Sequence, residues 1–182
     1  MLLEIASSKK DYFVVTSNVD GQFQKCGFDE SKIDEVHGSI HYLQCINGCN
    51  EDIWSAKDIK IDIDNEAFRA KEPLAKCPHC KSIARPNILM FGDWGWIEKR
   101  EQMQRENFIE FLSKVEPNNL AIIEFGAGVG IPTIRDMGES LAKEYNSDLI
   151  RVNPRENYGA KIRLDCGALD AIEQIYNNLD RR

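Results

Sequence analysis

The chain has 182 residues, 42% of them hydrophobic, and a formal net charge of −7. That is enough apolar material for one sizeable core with a small attached module, and the acidity argues against a nucleic-acid partner, whose phosphates require a basic face. With no secretory h-region and no apolar run near the roughly eighteen residues of a membrane span, the composition indicates no membrane partner and a reducing, cytoplasmic setting.

In chain order, Tyr12-Phe13-Val14-Val15-Thr16 is a short β-rich run ending in polar Ser17-Asn18, the pattern of a buried strand that delivers polar groups to its C-terminal edge. Between residues 42 and 84 the periodicity breaks into paired cysteines and charged residues. The segment 96–115 reads as helix, with Phe108, Ile109, Phe111 and Leu112 as its apolar cluster. Leu120-Ala121-Ile122-Ile123-Glu124-Phe125 is a second strand that runs into Gly126-Ala127-Gly128-Val129-Gly130, and Pro132 and Thr133 open a helix to about residue 144. Residues 149–153 and 161–164 are further strands, and residues 169–179 form a closing helix. Alternating strands and helices predict a Rossmann-like α/β fold with a mostly parallel sheet and an inserted zinc-binding module. The expected domains are 1–41 with 84–182 for the partial Rossmann-like domain and 42–83 for the module.

Cys45 and Cys49, then Cys77 and Cys80, are two close pairs that can aim four thiolates at one ion, and such a set suits a closed structural Zn²⁺ site. Gly48 supplies the permissive backbone for the three-residue knuckle. The alternatives are disulfides, which a reducing compartment disfavours, or four buried thiols. Cys26 and Cys166 lie outside the pairs and read as small buried residues. His79 reads as a residue outside the metal's own shell.

The glycine run after residue 125 is either a nucleotide loop or a tight turn into the helix. Its third glycine is one place early for the dinucleotide fingerprint, and the next strand ends in Asn153 instead of an acidic ribose ligand. In Glu35-Val36-His37-Gly38-Ser39 an imidazole stands beside a glycine, where a ligand can come close. Histidine can serve as a general base; the alternative is a structural histidine bonded to backbone.

Taken together in order, the motifs resemble the sirtuins, which are NAD-dependent protein deacylases: Thr16-Ser17-Asn18-Val19-Asp20-Gly21, Glu35 to Ser39, both cysteine pairs, Arg85-Pro86-Asn87-Ile88-Leu89-Met90-Phe91-Gly92-Asp93, the glycine loop and Asn153. The resemblance implies that His37 is the general base toward the nicotinamide ribose, with Asn18 and Asp20 also in the catalytic set. It implies NAD contacts from Ser17, Asn18, Asp20, Gly126, Ala127, Gly128, Asn153 and Cys166, and substrate contacts from Leu89, Met90, Phe91 and Gly92. The partner implied is an acylated-lysine protein or peptide. ADP-ribosyl transfer or NAD hydrolysis at the same site, and a non-catalytic binding module, are the competing functions.

The sequence departs from the sirtuin pattern at Ser17, where Gln is usual, at Gln22-Phe23, where His follows the glycine, and at Ala127-Gly128, where hydroxyl residues stand. It also starts downstream of the Gly-Ala-Gly cofactor turn, whose backbone amides cradle a pyrophosphate. Weak NAD binding is therefore expected unless that half is supplied in trans. Trp94, Gly95 and Trp96 either pack at a helix start or narrow an acyl channel.

Overall fold

The computed structural model describes residues 1–179, which fall into two compact units, Met1–Val14 with residue 108 onward, and Val15–Asn107. Among the described residues, no helix is long and apolar enough to cross a membrane.

The first unit holds α1 (Leu2–Ser7) and a parallel sheet in the order β10 (Ile162–Leu164), β9 (Asp148–Val152), β8 (Ala121–Phe125), with α4 (Thr133–Glu144) and α5 (Ala168–Leu179). Ile122 pairs with Leu149 and Phe125 with Val152, so β8 and β9 end level with one another. The Gly126 N–H donates to the Val152 carbonyl (2.9 Å) and the Asn153 N–H to the Leu164 carbonyl (3.1 Å). The glycine turn and Asn153 therefore share the C-terminal edge of the sheet, where ligands bind in open α/β sheets. α4 comes so close to β8 that a Cβ on Gly138 would lie 3.0 Å from Glu124 Oε2.

Beneath that edge lies a buried ion pair. Arg151, with no exposed surface, donates from Nε to Glu124 Oε1 (2.5 Å) and from Nη2 to Glu124 Oε2 (2.9 Å), while Nη1 reaches Glu139 Oε1 (3.0 Å) and the Tyr158 carbonyl (2.6 Å). Removing one partner of such a pair strands a buried charge, which costs about 3–5 kcal/mol. Glu124→Ala is accordingly expected to lower unfolding free energy by about that amount in urea denaturation; an unchanged midpoint would show that the pair contributes nothing.

The second unit holds α2 (Gln22–Lys25), β2 (Ile33–Glu35) and an antiparallel sheet in the order β4 (Ile53–Ser55), β3 (Gly38–Cys45), β7 (Ala84–Ile88). A hairpin of β5 (Ile63–Asp64) and β6 (Arg69–Ala70) lies between β4 and β7 in sequence. β1 (Val14–Thr16), which pairs with β2, and α3 (Lys99–Ser113) each run across the boundary between the units. β3 carries Gly38 at one end and Cys45 at the other, so one strand links the turn holding His37 to the first cysteine pair. Pro86 sits in β7, an edge strand, where its missing N–H is tolerated.

Residues 38–45 carry no strong strand signal, because the buried positions of this sheet are partly polar. Gln44 and Asn87 are 0% and 1% exposed and satisfy each other: Asn87 Nδ2 donates to Gln44 Oε1 at 2.8 Å. Two expectations need correction. Cys26 is exposed and Cys166 is half-buried, so neither is a core residue; Cys26 follows the one-turn helix α2, which has no buried residue of its own. Ile109, expected in the apolar cluster of α3, is 59% exposed, whereas Phe108 is 7% exposed and its ring lies 5.0 Å from that of Phe13.

Where β2 meets α3 the second unit buries charge as well. Asp34 lies 3.1 Å from Arg105 Nε, and Glu35 pairs closely with Arg100. Burial pushes the Asp34 carboxyl up from its ordinary 3.8 to about 6, against the pull of Arg105. A raised carboxyl favours folding in its protonated form, so its contribution is full below the ordinary value and is lost as pH rises through about 6. Asp34→Asn, neutral at every pH, is expected to flatten the fall in thermal stability between about pH 4 and pH 6. Parallel melting curves of variant and parent would contradict this.

Candidate functional site

In the second unit three segments meet at His37. Val36 N–H donates to the Thr16 carbonyl (3.0 Å) and Ile40 N–H to the Val19 carbonyl (2.9 Å), so the 16–19 loop runs beside the turn that carries the imidazole. From the other side, Leu89 N–H donates to the His37 carbonyl (3.0 Å). Gly38 is what allows this approach: its φ is +77°, and a Cβ there would lie 2.1 Å from the Asn87 carbonyl oxygen.

The His37 ring is half-buried, Ser17 is half-buried and Asn18 is exposed. The Asp20 carboxylate accepts from the Gln22 N–H (3.2 Å), and its carbonyl accepts from Lys25 Nζ (3.1 Å) and lies 2.9 Å from His41 Nε2. Asp20 thus fastens the loop to α2 and β3. Leu89, Met90, Phe91 and Gly92 follow β7 as a surface segment, with exposure rising from 38% at Leu89 to 91% at Phe91.

In the first unit Asn153 Nδ2 donates to the Ala127 carbonyl (3.3 Å), while its Oδ1 accepts from the Arg155 and Glu156 N–H groups (both 2.9 Å). Glu156 is the residue that sequence reasoning missed. Its Oε2 accepts from the Val129 N–H (3.1 Å) and lies 3.0 Å from where a Cβ on Gly128 would be. The acidic group sought at the end of β9 is present three residues later, brought back to the glycine loop by the turn after Asn153. A Cβ on Gly126 would meet nothing within 4 Å, so the turn is open to a ligand. An amide and a carboxylate beside an open glycine turn fit the hydroxyls of a ribose, while the carboxylate opposes a phosphate at the same spot. Cys166 lies just past β10, two residues after Leu164.

The four paired cysteines converge within the second unit. Their sulfurs all lie within 4.8 Å of one another, with Cys45 to Cys80 at 3.5 Å and Cys49 to Cys77 at 3.6 Å. Sulfurs about 2.3 Å from a tetrahedral zinc stand about 3.8 Å apart, so the donor set fits that ion; the spacing is far beyond a disulfide's roughly 2 Å bond. Gly48, at φ +56°, makes the turn of the first knuckle, and Asn47 Nδ2 donates to Ser82 Oγ (2.9 Å), tying the two knuckles together. Protons are shared unevenly: hydrogen bonds from Ser82 bring the Cys80 thiol down to about 6, whereas loss of water around its sulfur pushes Cys49 up to about 12. His79 is outside the cluster, half-exposed and 2.7 Å from Asp52.

A model of the Sir2 family matches residues 1–123, and the chain belongs to that family, the sirtuins. It is 30% identical over 133 residues to a probable bifunctional ADP-ribose hydrolase/ADP-ribosyltransferase of Fusarium oxysporum f. sp. cubense, covering 69% of this chain and 22% of that one. It is 29% identical over 140 residues to an NAD-dependent protein deacylase of Thermococcus kodakarensis, covering 77% and 48%. With an NAD-dependent protein deacetylase of Staphylococcus epidermidis it shares 20% over 181 residues, covering 97% and 63%. The chain therefore spans 22% to 63% of the length of these relatives. A solved structure concerned with the structural basis of sirtuin substrate affinity superposes with a TM-score of 0.66 at 19% identity, covering 97% of this chain and 66% of that one. The Rossmann-like α/β fold of the family is thus the fold of this chain.

Proposed function

We propose that the chain carries the machinery of an NAD-dependent protein lysine deacylase. The observation that carries this reading is the hydrogen-bonded bracket that holds His37 between the 16–19 loop and Leu89. When bound, NAD supplies an anomeric carbon, activated by its nicotinamide leaving group, that can take the acyl oxygen of a modified lysine. His37 would act as the base that takes the proton from a ribose hydroxyl, freeing that oxygen to attack the acyl carbon. In the second unit Ser17, Asn18 and Asp20 would contact the nicotinamide end of NAD; in the first unit Gly126, Ala127, Gly128, Asn153 and Cys166, joined by Glu156, would contact the adenosine end. Leu89, Met90, Phe91 and Gly92 bind the acylated peptide by backbone pairing. Zn²⁺ on Cys45, Cys49, Cys77 and Cys80 closes the module at 42–83 without an open coordination position, so it is structural. A reducing compartment such as the cytoplasm suits a metal site built from four thiolates.

A second reading, transfer of ADP-ribose to a protein or to water, is favoured by the name of the Fusarium relative. The chain incubated with NAD and an acetyl-lysine peptide decides between them by mass spectrometry. Deacylation gives bare lysine, nicotinamide and O-acetyl-ADP-ribose in equal amounts. Free or protein-bound ADP-ribose with the acetyl group retained would establish the second reading, and no turnover with peptide still bound would leave a binding module.

A further inference from the structure

Trp94 is 99% exposed and Phe91 is 91% exposed, yet the loop that carries them is held from both sides by buried polar groups. Arg85 Nη1 donates to Asp93 Oδ1 (3.0 Å), and Nη2 closes an ion pair with Asp93 Oδ2 and reaches the Ile88 carbonyl (2.7 Å). Asp93 in turn accepts from the Gly95 N–H (3.0 Å) and donates its own N–H to the Met90 carbonyl (3.1 Å). On the other side, fully buried Gln44 donates to the Gly95 carbonyl (2.6 Å) and accepts from the Ile97 N–H (3.1 Å), while Asn87 Nδ2 donates to the Ile97 carbonyl (2.8 Å). The hydrogen bond from Arg85 holds the Asp93 carboxyl at about 2, so the clamp stays charged across the physiological range.

Single exposed apolar residues are ordinary; a fixed backbone that presents two aromatic rings wholly to water is a different arrangement. Binding to a preorganised loop avoids the ordering cost a mobile one would incur, and tryptophan is enriched among residues that dominate interface energy. The position of the loop names the occupant. It continues from edge strand β7 through Leu89, whose N–H is bonded to the His37 carbonyl, so a peptide laid along the 89–92 segment with its lysine toward His37 carries its neighbouring residue past the indole. At 99% exposure the Trp94 ring is free to meet such a peptide.

Resting on the deacylase reading above, we infer that Trp94 is a specificity-determining contact that selects acylated-lysine peptides with an aromatic or bulky aliphatic residue beside the modified lysine. Fluorescence anisotropy of labelled peptides, acetylated and unmodified, with Leu, Phe, Ala or Asp beside the lysine, tests it. For acetylated peptides the parent should prefer Leu and Phe over Ala and Asp by about tenfold or more, Trp94→Ala should abolish that preference, and Trp94→Phe should restore most of it. Equal affinity for all four flanks in the parent, or a preference that survives Trp94→Ala, overturns the inference while leaving acetyl dependence intact. Equal binding of acetylated and unmodified peptides, with the flank preference still lost in Trp94→Ala, would instead sink the deacylase reading and leave the indole contact standing. Since Trp94 touches nothing in the fold, loss of structure cannot imitate these outcomes.

Discussion

Replacing His37 with alanine is expected to lower NAD-dependent turnover of an acetylated peptide by about 10²–10⁴-fold, the usual contribution of a positioned general base. The thermal midpoint and the metal content should stay as they were. The separation is possible because what joins His37 to its surroundings is backbone: its carbonyl accepts from Leu89, and the flanking residues Val36 and Ile40 bond to the 16–19 loop. The alanine variant keeps those bonds and loses only the ring. Peptide affinity should also survive, since the 89–92 segment is fixed by the clamp of Arg85 and Asp93. A variant that turns over at the parent rate would remove the base from the mechanism and favour the binding-module alternative.

The second large effect is metal loss. Cys77 has no exposed surface, and Cys45, equally buried, ends the strand that begins just after His37. Apparent binding free energies of structural zinc run to about 10–16 kcal/mol near neutral pH, and because the site is absent from the unfolded chain this energy is folding energy. Cys77→Ser is expected to reduce bound zinc to well under one ion per chain and to raise amide hydrogen exchange across residues 42–83. A strong chelator should do the same to the parent. Protons compete with the metal for the four thiolates, so zinc should be released more readily as pH falls. Full protection of residues 42–83 in metal-free protein would show that the knuckles fold without an ion.

The parallel half of the fold was legible because its strands are short β-rich runs between turn signals and its helix has a clear start. The expected opening at Pro132 and Thr133 meets the observed span Thr133–Glu144. The cysteine pairs were legible because their spacing is itself the signal. The antiparallel sheet was not, since Gln44 and Asn87 are buried polar residues that serve each other and the 93–97 loop, and with buried Ser39 their pattern resembles surface. Glu156 was missed for a related reason: strand patterns report where β9 ends, and nothing in them reports that the following turn carries a carboxylate back to the glycine loop. The turn at residues 36–40 depends on Gly38, whose neighbour across the sheet lies close only because no Cβ intervenes.

If His37 serves as base toward the nicotinamide ribose, NAD must reach its ring. An NMR titration of the three histidine ring signals with NAD, assigned by single replacements of His37, His41 and His79, tests this. The His37 signal should move along a saturable binding curve while His79, outside the site, stays still. A His37 ring that remains unmoved at NAD concentrations that saturate binding by calorimetry would contradict the assignment.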